Sequence, residues 1–263
     1  MFNRELFLYQ VKKKLNQFRG KVISDDFDWE LYNTHYRGEL TGISKVHTLT
    51  LKEGDYVFNY NTLLKAEKDI LPLHPNHSLL YETIAQLDPS SVFELGCGGG
   101  DHLANLSILL KNLKLYGVDL SEEQLKLLKE RHPGLGAVVN QYDCTLPFPA
   151  AFPKVDIAFT QTVLMHIQTG NGHMVALSNL FNIAQKQVVL MENWTRHPFI
   201  DDIRKLHSLK VIPWKEAYFY YRDSEELKRP HLMIISAVKL PQYKELTDYA
   251  LLYEGARKKG FFS

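Results

Sequence analysis

Apolar positions recur at helical spacing over residues 1–19, where Leu6, Leu8, Val11, Leu15 and Phe18 share a stripe and Lys12, Lys13 and Lys14 face solvent. From Asp25 to Tyr60 neither helical nor strand periodicity persists, and aromatic side chains alternate with Gly38, Gly42 and Gly54. Helical patterns resume over 61–71, stopped by Pro72, and over 76–87, where Leu79, Leu80, Ile84 and Leu87 form a stripe before Asp88-Pro89.

A regular alternation follows. The pattern predicts strands over 91–95, 114–120, 137–142, 155–160 and 187–192, separated by helices over 100–111, 122–131 and 173–184 and followed by one over 199–209. Strands alternating with helices build a parallel sheet with right-handed crossovers. The segments 217–222 and 231–238 leave no room for a crossover helix, so they are expected to pair antiparallel. The expected fold is α/β: five parallel strands closed by a C-terminal antiparallel hairpin, with helices on both faces. Residues 1–75 are expected to form a helical or irregular lid, 76–240 the core and 241–263 a tail with one short helix around 243–256.

Composition changes this picture little. A formal net charge of +1 supplies no field toward nucleic acid or membranes, which leaves a small-molecule partner. No apolar run is long enough for a bilayer or a signal peptide, and Cys97 and Cys144 fit neither a zinc spacing nor a disulfide framework; a cytoplasmic protein without a structural metal is the expectation. Oligomeric state has no signature here.

The chemistry concentrates where the first parallel strand ends. Phe93-Glu94-Leu95-Gly96-Cys97-Gly98-Gly99-Gly100 runs from strand through a glycine turn into a helix, which lets a bare backbone approach a polar ligand. A dinucleotide fingerprint starting at Gly96 needs glycine where Asp101 stands. Glu94 repels a pyrophosphate and suits a cationic ammonium, so the ligand reads as an aminoacyl nucleoside; the plain alternative is a solvated strand-end charge. Asp119 closes the second strand, where a carboxylate accepts both ribose hydroxyls, although Ser121 to Gln124 form a capping box that Asp119 could merely support. Asp143 and Cys144 close the third, placed for an adenine edge or simply for a turn.

These segments, together with D-I-A-F-T-Q-T-V-L-M-H-I at 156–167, resemble the successive motifs of the class I S-adenosylmethionine-dependent methyltransferases over roughly 76–238. The resemblance implies a seven-stranded Rossmann-like sheet with S-adenosylmethionine across its carboxyl end. It assigns cofactor binding to Glu94, Gly96, Cys97, Gly98, Asp119, Leu120, Asp143, Cys144 and Thr160. It also implies that the leading segment shapes the acceptor pocket, with Tyr36, Arg37, Tyr60 and Lys65 as substrate-facing candidates, each of which also reads as structural.

A hydroxyl acceptor needs its proton removed. His166 and Glu192, after the fourth and fifth strands, are the candidate bases, and Trp194 is a candidate pocket wall. His166 also reads as a loop-holding residue and Glu192 as a partner for Arg196. His74 and His77 lack a third metal ligand and are expected to cap the helix that starts near Ser78. The expected activity is methyl transfer to an oxygen or nitrogen of a small molecule, a sugar or secondary metabolite. The alternatives are a protein, peptide or RNA acceptor, or a catalytically silent cofactor-binding partner.

Overall fold

The computed structural model describes residues 48–168, 170–224 and 229–252. The helix expected over 1–19, the candidates Tyr36 and Arg37, and the basic runs at Lys12–Lys14 and Arg257–Lys259 lie outside the described residues.

The first described elements are a hairpin, β1 (Tyr56–Asn59) and β2 (Thr62–Lys65), turned at Tyr60-Asn61. This corrects the helix expected over 61–71. Leu63 and Leu64 fit a helical stripe equally well, but Leu63 donates its amide to Glu82 and Asn61 accepts from Gln86, so tertiary partners decide for strand. Helix α1 (Pro75–Gln86) begins with proline in its first turn, and His74 caps it by accepting from the Asn76 amide.

The β/α alternation is present as expected: β3 (Ser91–Leu95), α2 (Asp101–Leu109), β4 (Lys114–Asp119), α3 (Glu122–Arg131), β5 (Val138–Gln141) and β6 (Val155–Gln161). Then come α4 (Gly172–Ile183), β7 (Ala184–Met191), α5 (Phe199–Ser208), β8 (Tyr218–Ser224) and β9 (Arg229–Ser236). Ser121 caps α3 by accepting from Gln124, as its sequence indicates. A two-residue strand, β10 (Lys244–Glu245), stands where the tail helix was expected to begin; Tyr243 instead hydrogen-bonds Gln86 and Leu246 pairs with Phe219.

The sheet order is β10-β8-β9-β7-β6-β3-β4-β5. Strands β3 to β7 pair in parallel, while β9, β8 and β10 add antiparallel, so the expected seven strands gain a short eighth. Chain order runs outward from β3 through β4 to β5, then reverses to β6 on the other side of β3. That reversal opens a crevice at the carboxyl ends of β3 and β6, where open α/β sheets bind ligands. Both faces are covered: Val92, Ile157 and Val189 pack under α1, α2 and α3, whereas Phe93, Ala158 and Val188 pack under α4 and α5.

Buried Asn105 on α2 ties the chain entering the domain to this core. Its side chain accepts from the Leu51 amide at 2.8 Å and donates to the Leu49 carbonyl at 2.8 Å and the Tyr81 hydroxyl at 3.0 Å. Asn105→Ala strands these partners and is expected to lower the free energy of unfolding by about 3 kcal/mol, read from urea melts with an unchanged m-value.

Candidate functional site

The turn after β3 has its shape because three glycines, Gly96, Gly98 and Gly100, all adopt positive φ. Gly96, at φ +76°, is the most constrained: a Cβ there would lie 2.3 Å from Val163 Cγ2. The turn is pinned to β4, since the Gly96 and Cys97 amides both donate to the Val118 carbonyl at 2.8 and 2.9 Å. Cys97 is buried, and its side chain packs against the backbone of Gly117.

Asp119 binds two loops at once. One oxygen accepts from the Gly98 amide at 2.8 Å and the other from the Ser121 amide at 2.9 Å. Burial nevertheless pushes its pKa up, against the lowering effect of the Ser121, Gly98 and Leu120 amides. Leu120 beside it is 50% exposed, an apolar side chain left open at the rim.

Glu94 is 2% exposed, and its Oε2 has no hydrogen-bond partner. Burial first, and then the nearby Asp101 and Asp119, push its carboxyl well above the usual range. A buried carboxylate with an unsatisfied oxygen, flanked by two more, favours a cationic donor and disfavours a phosphate. Arg131 pairs with Asp101 at 2.6 Å and so offsets one of the three charges.

The loop after β5 is shaped by Asp143, which accepts from the amide and hydroxyl of Thr145 at 2.9 and 2.7 Å, the turn-forming geometry. Asn179 on α4 fixes the Cys144 carbonyl at 2.9 Å. Burial pushes the Cys144 thiol up to about 12, so it stays protonated.

At the end of β6 the chain turns sharply at Thr162, a β-branched residue at φ +55°, and continues into a 3₁₀ turn at Leu164–His166. Such a conformation costs on the order of 1–3 kcal/mol and persists only where its surroundings enforce it. Two restraints come from the end of β7: the Thr162 amide donates to the Met191 carbonyl at 2.9 Å, and Glu192, immediately after β7, holds the residues that follow. Glu192 accepts from the Val163, Leu164 and Met165 amides at 3.1, 3.3 and 3.0 Å, and from the Thr160 hydroxyl at 3.2 Å. Thr160 thus stands beneath the rim with its hydroxyl turned to Glu192. Burial drives the Glu192 carboxyl up to about 7 even though these donors favour its ionised form.

The remaining expected residues are not gathered here. Tyr60 is 96% exposed at the hairpin tip, and Lys65 donates to the Lys68 and Ile70 carbonyls of its own loop. Trp194 is buried edge-on against Phe199, with its carbonyl bonded by the Tyr249 hydroxyl, which makes it an anchor rather than an open wall. Sequence reasoning passed over Gln161, whose buried Oε1 lacks a partner at the carboxyl end of β6. It also passed over His173 and His197, stacked with ring centroids 3.9 Å apart. Their pairing spans α4 and the loop after β7, so no local spacing announces it. Among the described residues, no group of three or more His, Cys, Asp or Glu side chains is placed to hold a metal, and no helix is long and apolar enough to cross a membrane.

Residues 93–190, from the middle of β3 to the end of β7, match the family profile for a methyltransferase domain. The chain carries a methyltransferase domain, in keeping with the class I S-adenosylmethionine-dependent resemblance of its motifs. The matched stretch contains the glycine turn, Asp119, Asp143 and the Thr162 turn, and ends two residues before Glu192. No curated protein matches in sequence. Among solved structures, DesVI of Streptomyces venezuelae is 20% identical at TM-score 0.39, covering 46% of this chain and 52% of its own. CalS10, an amino pentose methyltransferase from Micromonospora echinaspora, is 20% identical at TM-score 0.40, covering 47% and 53%. The chain therefore spans about half the length of these two. The methyltransferase domain of bacterial CtHen1 is 17% identical at TM-score 0.48, covering 62% of this chain and 98% of its own.

Two outcomes follow for the methyltransferase domain. Gly96→Ala forces a Cβ into Val163 at positive φ and is expected to cost at least about 2 kcal/mol of stability and to abolish S-adenosylhomocysteine binding, read by urea melts and calorimetry. The second concerns pH. Glu192 has a folded pKa of about 7 against 4.5 unfolded, so the proton-linked part of its contribution is fully present below pH 4.5 and is lost as pH rises through 7, while its amide contacts remain. The cofactor-free domain is expected to lose about 3 kcal/mol across that window from this residue, and Glu192→Gln to flatten that part of the profile.

Proposed function

We propose that this chain transfers the methyl group of S-adenosylmethionine to an oxygen or nitrogen of a small molecule, a sugar or secondary metabolite, with His166 taking the acceptor's proton. The observation that supports the cofactor half is the unpartnered, buried Oε2 of Glu94 beneath the bare turn at Gly96. That oxygen suits the ammonium of an aminoacyl nucleoside, and arrival of a cation lowers the cost of ionising Glu94. Asp119 would take the ribose hydroxyls on its remaining lone pairs, exposed Leu120 would lie against the adenine ring, and Asp143 with the Cys144 backbone would hold the adenine edge.

When bound, the cofactor supplies an electrophilic methyl carbon on a sulfonium whose leaving group is already good. What remains for the chain is alignment, exclusion of water and proton removal. His166 sits on the 3₁₀ turn beyond β6, at the same rim as the glycine turn, with its amide donating to the Val163 carbonyl at 3.0 Å. An imidazole on a turn held this firmly suits a base that must meet the acceptor in one orientation. The balanced net charge of +1 favours a small acceptor over a polyanion.

Calorimetry with S-adenosylhomocysteine tests the cofactor half. Binding is expected, and Asp119→Ala should weaken it by about 1–3 kcal/mol; an unchanged dissociation constant removes Asp119 from the site. His166→Ala should leave that constant unaltered while cutting methyl transfer to hydroxyl acceptors by roughly 100-fold or more. Full turnover by the variant would take the base role away from His166.

A further inference from the structure

We infer that Glu192 is a positioning residue and not a proton acceptor: its carboxylate clasps the Thr162–Met165 turn and, through Val163, sets the fit of the glycine turn that seats the cofactor. The inference deepens the reading of this site as a methyltransferase centre and rests on it.

Both oxygens of Glu192 are already engaged. Oε1 takes the Thr160 hydroxyl and the Val163 and Leu164 amides, and Oε2 takes the Met165 amide. Three donors share Oε1, the Leu164 amide the most distant at 3.3 Å, and one donor engages Oε2, so both oxygens face the turn. The residue is 4% exposed with both oxygens hydrogen-bonded to the turn, unlike Glu94, whose Oε2 has no partner. The amides it satisfies lead into the Leu164–His166 turn, where the first N–H groups lack partners within the turn itself. Glu192 thus performs from a different strand what an N-cap side chain performs locally.

Two further features make the clasp consequential. Thr162 is held at φ +55°, a conformation a β-branched residue leaves when nothing restrains it. Val163, the first residue clasped, presses on Gly96 so closely that a Cβ there would meet its Cγ2 at 2.3 Å. The turn that carries His166 and the turn that seats the cofactor are therefore in contact, and one carboxylate fixes their relation. The titratable group whose charge balance Glu192 perturbs is the Cys144 thiol, which stays neutral at working pH.

Glutamine at 192 keeps one oxygen but turns an NH2 group toward amide donors. At pH 8, hydrogen exchange of the Val163, Leu164 and Met165 amides should accelerate about tenfold or more in Glu192→Gln, and the S-adenosylhomocysteine dissociation constant should rise about tenfold. Adding Thr162→Gly, which accepts positive φ without strain, should recover part of both losses; a merely structural Glu192 would not be rescued by relaxing one turn residue. Wild-type exchange and affinity in Glu192→Gln with turnover lost would make Glu192 the base and overturn the inference. So would a uniform rise in exchange across the domain with no rescue. If the wild-type protein fails to bind S-adenosylhomocysteine, the methyltransferase reading falls, while the exchange data still decide whether the clasp exists.

Discussion

The rim of this sheet is held together by carboxylates that accept backbone amides. Asp119 joins the loops after β3 and β4 through the Gly98 and Ser121 amides, Asp143 closes the loop after β5 through Thr145, and Glu192 holds the turn after β6. Parallel strands that end together leave their loop amides facing a crevice, and a donor buried there without a partner is costly. The acidic side chains meet that requirement. In doing so they line the crevice with acidic groups, the surroundings in which a cationic ammonium is proposed to bind.

How far these roles could be read from the sequence follows from how local they are. Glu94, Gly96 and Asp119 declare themselves because a strand, a glycine turn and the next strand end lie within about thirty residues of chain, at spacings the chemistry dictates. Glu192 reads from the sequence as a strand-end carboxylate at the rim, but its partners lie 27 to 32 residues away, and nothing nearby signals that its oxygens are engaged. The competing expectation, an ion pair with Arg196, treats a neighbour in sequence as a neighbour in space.

The fold shows the same division. The parallel strands are legible because burial on both faces makes near-continuous apolar runs such as Val188-Val189-Leu190-Met191. The hairpin is ambiguous in sequence because Leu63 and Leu64 satisfy two periodicities, and Glu82 and Gln86, from α1, break the tie. The Thr162 turn was invisible for a related reason: a threonine gives no warning of positive φ, whereas a glycine would have.

Among the described residues, the sheet ends in two short strands. On one side β5 has four residues and is largely exposed; on the other β10 has two, pairing with Tyr220 and Tyr221 beside the Lys244–Asp223 ion pair. A long, flat strand at either border would offer a row of unpaired amides and carbonyls to a second chain. Short borders, one carrying a lysine, deny that template. Among the described residues, the borders of the eight-stranded sheet are therefore short, and β10 covers the middle of β8 at Tyr220 and Tyr221.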